Sequence, residues 1–185
     1  MADRRRIALI GLGMAVTPHA KSLLDLADRV EVAYAFSRSE QRRRAFAERF
    51  AFPLTDDLEK ITADRSVSAV VILTPPNTHL ELVQRFAAAG KHILLEKPLE
   101  RSTERAEALV EAAEAAGVKL GVVFQHRFRP ASEELRELLA DGALGALAAA
   151  NVICPWWRPQ SYYDEPGRGT LERDGGGVLI TQAIH

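Results

Sequence analysis

Short apolar runs recur along this chain at intervals that leave room for one helix between each pair. The runs are Ile7–Ile10, Val30–Phe36, Val67–Leu73, His92–Leu95 and Lys119–Phe124. The run Val67-Ser-Ala-Val-Val-Ile-Leu73 is almost continuously apolar, as a strand covered on both faces must be. Between the runs lie helical patterns: about Pro18 to Asp28, with Leu23, Leu24 and Ala27 on one face, then Ser39 as N-cap of a helix through Phe50. A short acidic-start helix at 56–63 follows a brief third strand at Phe52–Leu54. Thr78–Ala89 is closed by Gly90, and Thr103–Ala116 by Gly117. Tight hairpins join antiparallel strands, whereas parallel strands need a crossover of helical length. The alternation therefore predicts an α/β, doubly wound parallel sheet over residues 1–124.

After Phe124 the pattern changes. Ser132–Ala140 reads as a helix, Ala146–Ile153 as a strand, and Cys154–Gly177 as a loop rich in Pro, Gly, Trp and Tyr. Residues 125–185 are expected to begin a second, α+β domain. With 185 residues there is room for one good core and part of another. A net charge of -1 argues against a nucleic-acid binder that works by phosphate neutralisation. No apolar run approaches the roughly 20 residues of a membrane span. The basic Arg4–Arg6 ahead of an apolar stretch mimics a short secretory leader, but Gly11 and Gly13 interrupt that stretch. Cys154 is the only cysteine, which rules out an intramolecular disulfide or a cysteine-based metal site and fits a reducing cytoplasm.

The first run ends in Gly11-Leu12-Gly13-Met14-Ala15-Val16. Gly11 permits a tight turn out of the strand, and Gly13 lets the backbone approach a pyrophosphate at a helix N-terminus. The third glycine of such a fingerprint, which eases helix–strand packing, is here Val16. The second strand ends 26 residues after Gly11, where an acidic residue would bind the ribose hydroxyls of NAD. Ser37-Arg38 stands there instead. Without a carboxylate to repel a 2′-phosphate, and with a guanidinium to pair with one, the charge favours NADP, with NAD as the alternative. Arg38 as a solvated loop residue is the other reading.

Three further segments fall where a dinucleotide site needs them. Thr74-Pro75-Pro-Asn77-Thr-His79 follows the central strand, Glu96-Lys97-Pro98 follows the next, and Gly175-Gly-Gly-Val-Leu-Ile-Thr181-Gln-Ala-Ile-His185 closes the chain. With Gly11-x-Gly13 and Gln125-His126-Arg127, this set resembles the Gfo/Idh/MocA family of NAD(P)-dependent oxidoreductases, the glucose–fructose oxidoreductase and inositol dehydrogenase relatives. The resemblance implies a Rossmann fold and hydride transfer between nicotinamide and a hydroxyl or carbonyl carbon of a sugar, polyol or related molecule. It implies that Lys97 polarises the substrate oxygen, that Glu96 touches the nicotinamide ribose, and that His185 takes the hydroxyl proton. Pro98 in such enzymes often follows a cis peptide. Carbinol oxidation needs such a base and a cation for the developing alkoxide. The cofactor contacts implied are Gly11 to Ala15, Ser37, Arg38, Thr74, Pro75, Asn77, His79, Glu96 to Pro98, Gln125 and Arg127. No metal is implied.

Two departures stand out. Relatives often carry an aspartate four residues before the closing histidine; here it is Thr181, placed in the catalytic set by position. Relatives also continue past this histidine into a large open antiparallel sheet, so the second domain is expected to be begun and unfinished. His126 and Arg127 read as substrate contacts or as core and interface residues. Trp156, Trp157, Tyr162 and Tyr163 read as the lining of a sugar-sized pocket or as an interface, a homo-oligomer being one expectation. The alternative to an enzyme is a dinucleotide-binding module without turnover, in a sensing or assembly role.

Overall fold

Six strands form one parallel sheet in the computed structural model, which describes residues 4–185. They are β1 (Arg5–Ile10), β2 (Val30–Phe36), β3 (Leu54–Thr55), β4 (Val67–Ile72), β5 (His92–Glu96) and β6 (Leu120–Val123). Their order across the sheet is β3-β2-β1-β4-β5-β6. Successive strands are linked by helices: α1 (Val16–Asp25), α2 (Glu40–Ala47), α3 (Leu58–Ala63), α4 (His79–Ala88) and α5 (Thr103–Ala115).

The period of two along a strand divides the core. From β1, Ala8 and Ile10 join Val70, Ile72, Val83, Phe86, Leu95 and Leu109 beneath α4 and α5. Ile7 and Leu9 face the other way and meet Val16, Ala20, Phe46 and Phe50 of α1, α2 and the residues beyond. Both faces of β1 are therefore covered, which is why its last four residues are apolar. Strand order reverses at β1, with β2 on one side and β4 on the other. The crevice outside the carboxyl ends of strands at such a reversal is where open α/β sheets bind ligands.

Three local expectations change. Helix α1 begins at Val16 rather than Pro18, and Leu24 is half exposed while Val16 and Ala20 form its buried face. The third strand shifts to Leu54–Thr55 because Phe52 stacks with Phe46 and Phe50, at 6.1 and 6.2 Å between ring centroids.

The larger correction concerns the residues after β6. A 3-10 turn at Gln125–Phe128 leads into α6 (Pro130–Ala140), then a long irregular stretch, then three one-turn helices, α7 (Gln160–Tyr163), α8 (Leu171–Asp174) and α9 (Val178–Thr181). Ala146–Ile153 forms no strand. Val152 and Ile153 are 89% and 85% exposed, and no strand lies beside them among the described residues. A strand is held by pairing, and without a partner its composition alone does not make one.

Candidate active site

The phosphate turn is built at the reversal of strand order. The Gly11 amide donates to the Phe36 carbonyl at 2.9 Å, and the Leu73 amide donates to the Ile10 carbonyl at 2.8 Å. Gly11 has φ +105°, and a Cβ there would stand 2.9 Å from Thr74 Cγ2 and 3.1 Å from the Leu73 carbonyl carbon. Both conformation and space exclude a side chain. At Gly13 the position of a Cβ is open, with only the Arg42 guanidinium near it, at 3.9 Å. Leu12 is buried, Met14 is exposed, and Ala15 lies between. Val16 is 4% exposed, so the missing third glycine is absorbed by apolar packing of α1 on the sheet. Helix α1 has neither a side-chain N-cap nor an acidic residue in its first turn. Its first N–H groups and the open face of Gly13 fit a pyrophosphate.

At the end of β2, Ser37 is buried and Arg38 is exposed. Arg43 holds this corner: its guanidinium donates to the carbonyls of Ser37 at 2.6 Å and Arg38 at 3.2 Å and pairs with Asp56 at 2.9 Å. Arg42, one turn into α2, projects over the Gly13 turn, with Glu165 3.8 Å away. Sequence reasoning missed Arg42, although its position four residues after Arg38 on a helix that starts at the strand end carries the signal.

Beyond β4, Thr74 and Pro75 are half buried at the mouth of the crevice, and Thr78 donates its hydroxyl to Thr74 Oγ1 at 2.7 Å. Asn77 sits in a 3-10 turn ahead of α4. His79 is fully buried, with Nε2 2.9 Å from the Thr74 carbonyl and Nδ1 3.1 and 3.2 Å from those of Pro98 and Leu99. Its work is to tie the loop after β4 to the loop after β5. Burial holds its imidazole below the usual range against the opposing pull of those carbonyls.

At the end of β5, the Glu96 carboxylate accepts from His19 Nε2 at 2.9 Å and from the Lys97 amide at 3.0 Å. His19, on α1, is a second residue that sequence reasoning passed over. The Lys97–Pro98 peptide is cis. Lys97 donates from Nζ to the Thr181 carbonyl at 2.5 Å. Burial pushes its ammonium below the usual lysine value, Glu96 opposes this, and Arg158 and Arg168 add to it.

The closing segment folds back onto this corner. Gly175, with φ +80°, lies so close to Arg101 that a Cβ would stand 2.8 Å from its Cα. Asp174 is buried and accepts from the Gly169 amide at 2.7 Å. The Thr181 hydroxyl donates to the Gly177 carbonyl at 2.9 Å, and the residue meets Lys97 through its backbone carbonyl. His185 stacks on His126 with centroids 4.7 Å apart, and Trp156 lies 6.3 Å from it. Its Nδ1 is buried without a hydrogen-bond partner among the described residues. Burial first, then Lys97 and His126, keep His185 below the ordinary imidazole value, with Glu96 opposing. Gln125 is exposed, and Arg127 is exposed with its guanidinium over the Phe124 ring at 5.8 Å. Tyr162 carries Arg158 and Arg168 over its ring, at 5.6 and 4.7 Å, while Trp157 and Tyr163 are exposed. A separate concavity of about 600 Å³, lined by Thr62, Arg65, Ser68, Lys91 and His92, lies away from all of these residues, at the amino ends of β4 and β5.

This arrangement can hold a phosphate-rich ligand on the β1 turn and set a cation and an imidazole side by side at the end of β5. Among the described residues no helix is long and apolar enough to cross a membrane. Nor do they contain a cluster of three or more potential metal-ligating side chains.

Comparison with known proteins agrees with the fold. The family described as "Oxidoreductase family, NAD-binding Rossmann fold" (GFO_IDH_MocA) matches residues 5–124. Inositol 2-dehydrogenase of Rhizobium meliloti is 34% identical over 97% of this chain and 52% of its own length. The scyllo-inositol 2-dehydrogenase (NADP(+)) of Bacillus subtilis is 29% identical over 99% of this chain and 52% of its own. The crystal structure of the WlbA dehydrogenase of Chromobacterium violaceum, solved with NADH and UDP-GlcNAcA, superposes with a TM-score of 0.92 at 32% identity, over all of this chain and 54% of that one. The chain thus spans about half the length of the curated relatives it matches. On sequence and fold together, the chain belongs to the Gfo/Idh/MocA oxidoreductase family and carries its NAD-binding Rossmann fold.

Proposed function

We propose that this chain holds a nicotinamide dinucleotide and serves hydride transfer to and from a hydroxyl-bearing carbon of a sugar or polyol. The observation that carries the reading is the hydrogen bond of Lys97 to the segment that ends in His185, with His19 of α1, the helix after the Gly11–Ala15 turn, on the adjoining Glu96. In the oxidative direction a bound NAD(P)+ supplies the hydride acceptor. The chain's own residues do the rest. Lys97 holds the substrate oxygen and meets its developing negative charge, and the neutral His185 accepts the hydroxyl proton. Glu96, fixed by His19, holds the nicotinamide ribose. The sugar or polyol class is supported by the inositol dehydrogenases among the relatives.

The dinucleotide is NADP by preference on the charge at the end of β2. The strand end itself carries Ser37 and Arg38 and no acidic residue, and Arg42 adds a second guanidinium, whose partner is Glu165 at 3.8 Å. Residues 1–124 form the dinucleotide unit, and residues 125–185 belong to the substrate side, contributing His126, Trp156 and His185. The direct experiment is titration with NADPH by fluorescence, followed by a screen of polyols and sugars for NADPH formation from NADP+. Turnover that disappears in Lys97→Ala supports the enzyme. Binding without turnover on any substrate points to a module that holds the cofactor without using it. Failure to bind either dinucleotide overturns both.

A further inference from the structure

His185 rests on the face of a second histidine. The His126 and His185 rings are parallel within 15°, with centroids 4.7 Å apart, and Trp156 turns toward His126 at 5.4 Å in an edge contact. An imidazole that acts as a base is ordinarily oriented by a third group that bonds its second nitrogen. His185 has none among the described residues. Its Nδ1 is buried and unpartnered, and the Thr181 hydroxyl is spent on the Gly177 carbonyl. The contacts that fix the plane of the ring are aromatic.

We propose that His126 is the positioning residue of His185, fixing the plane of its imidazole by face-to-face contact where other bases use a carboxylate. The inference rests on the reading of His185 as the base. Stacking also couples the charges of the two rings. Lys97 and Glu96 face His185 from the end of β5, and His126 and Arg129 from the turn after β6 and the residue that follows it. Arg158, Arg168 and Asp174 stand farther round, against Lys97. Of these groups only His126 touches the His185 ring face to face. A positive charge on the stacked ring disfavours a second one on His185, which adds to the lowering by burial and by Lys97. A carboxylate partner would do the opposite and favour the charged ring. Burial first, then Lys97, then the stacked His126 keep His185 neutral and ready to accept a proton.

The test is proton NMR of the imidazole rings in the chain as it stands, with His185 assigned through His185→Gln. In the wild type the ring protons of His126 and His185 are expected to show a direct nuclear Overhauser contact. His126→Phe keeps an aromatic face and removes the charge, so the ring-current displacement of the His185 signals persists while their titration moves to higher pH. His126→Ala loses the displacement as well. Absence of the contact in the wild type, or His126→Ala with His185 signals and titration unchanged, overturns the proposal. If either variant fails to fold, the wild-type contact decides alone. None of these readings needs turnover, so a failure of the oxidoreductase reading would show separately, as absent dinucleotide binding or absent hydride transfer.

Discussion

Lys97 and Thr181 stand 84 residues apart in the chain and meet through a 2.5 Å hydrogen bond from the ammonium to the carbonyl oxygen. This bond joins the loop after β5 to the closing segment. Lys97→Met removes both the bond and the cation proposed to face the substrate oxygen. The expected result is a fall in kcat of about 10²–10³-fold, with dinucleotide affinity nearly unchanged, measured by steady-state rates beside fluorescence titration.

The pH dependence follows from His185. Its folded value lies below the ordinary 6.5, through burial first and then Lys97 and His126. His185, as the proposed base, is therefore neutral at neutral pH, and activity is expected to fall only as the pH drops through that lowered value. The acid limb of kcat/KM is expected below 6.5, and His185→Gln should abolish the limb along with about 10²–10⁴-fold of the rate.

Cofactor preference should depend on two arginines. Arg38→Ala and Arg42→Ala are each expected to weaken NADP+ by roughly tenfold, the scale of one hydrogen bond to a charged group, while NAD+ affinity stays level. Calorimetric titration of both dinucleotides checks this. Equal losses for the two cofactors would assign these arginines to the shared pyrophosphate.

Gly175 is expected to tolerate no side chain. Gly175→Ala meets both the left-handed conformation and the Arg101 backbone. A cost on the order of 2 kcal/mol or more follows, confined to the docking of residues 171–185. Limited proteolysis should cut the variant in that segment while urea unfolding of the sheet changes little.

His79→Leu keeps the volume and removes the polar tie. The carbonyls of Thr74, Pro98 and Leu99 face the ring, and the neutral imidazole has one N–H to give them, so the variant loses one donor, at about 1–3 kcal/mol. Urea denaturation followed by circular dichroism measures the loss. Burial lowers the folded value of His79 below its unfolded one, so the unfolded chain takes up protons first and stability declines as the pH falls below 6.5. His79→Leu should remove that part of the slope.

The sheet was legible in the linear sequence because the features that build it are local. Apolar runs of four to seven residues, helical spacing between them, and Gly11 and Gly13 at a strand end all act within a few residues of themselves. The family motifs were legible for the same reason, as short strings at strand ends. Ala146–Ile153 misled because β composition makes a strand only when another strand pairs with it, and nothing within the segment reveals that partner's absence. The burial of His79 was hidden for a like reason: its place beside Thr74-Pro75 is local, and only the packing of two loops encloses its ring.

Local pattern by itself thus determined the strand order's raw material, the phosphate turn and the positions of Lys97 and His185. Tertiary structure alone decided which side chains meet: His19 with Glu96, Arg42 with the Gly13 turn, Lys97 with the Thr181 carbonyl, and His126 with His185. The physical reason is range. Periodicity and turn chemistry are set by neighbours along the backbone, whereas the charge state and orientation of a buried imidazole are set by groups that the fold brings from distant parts of the chain.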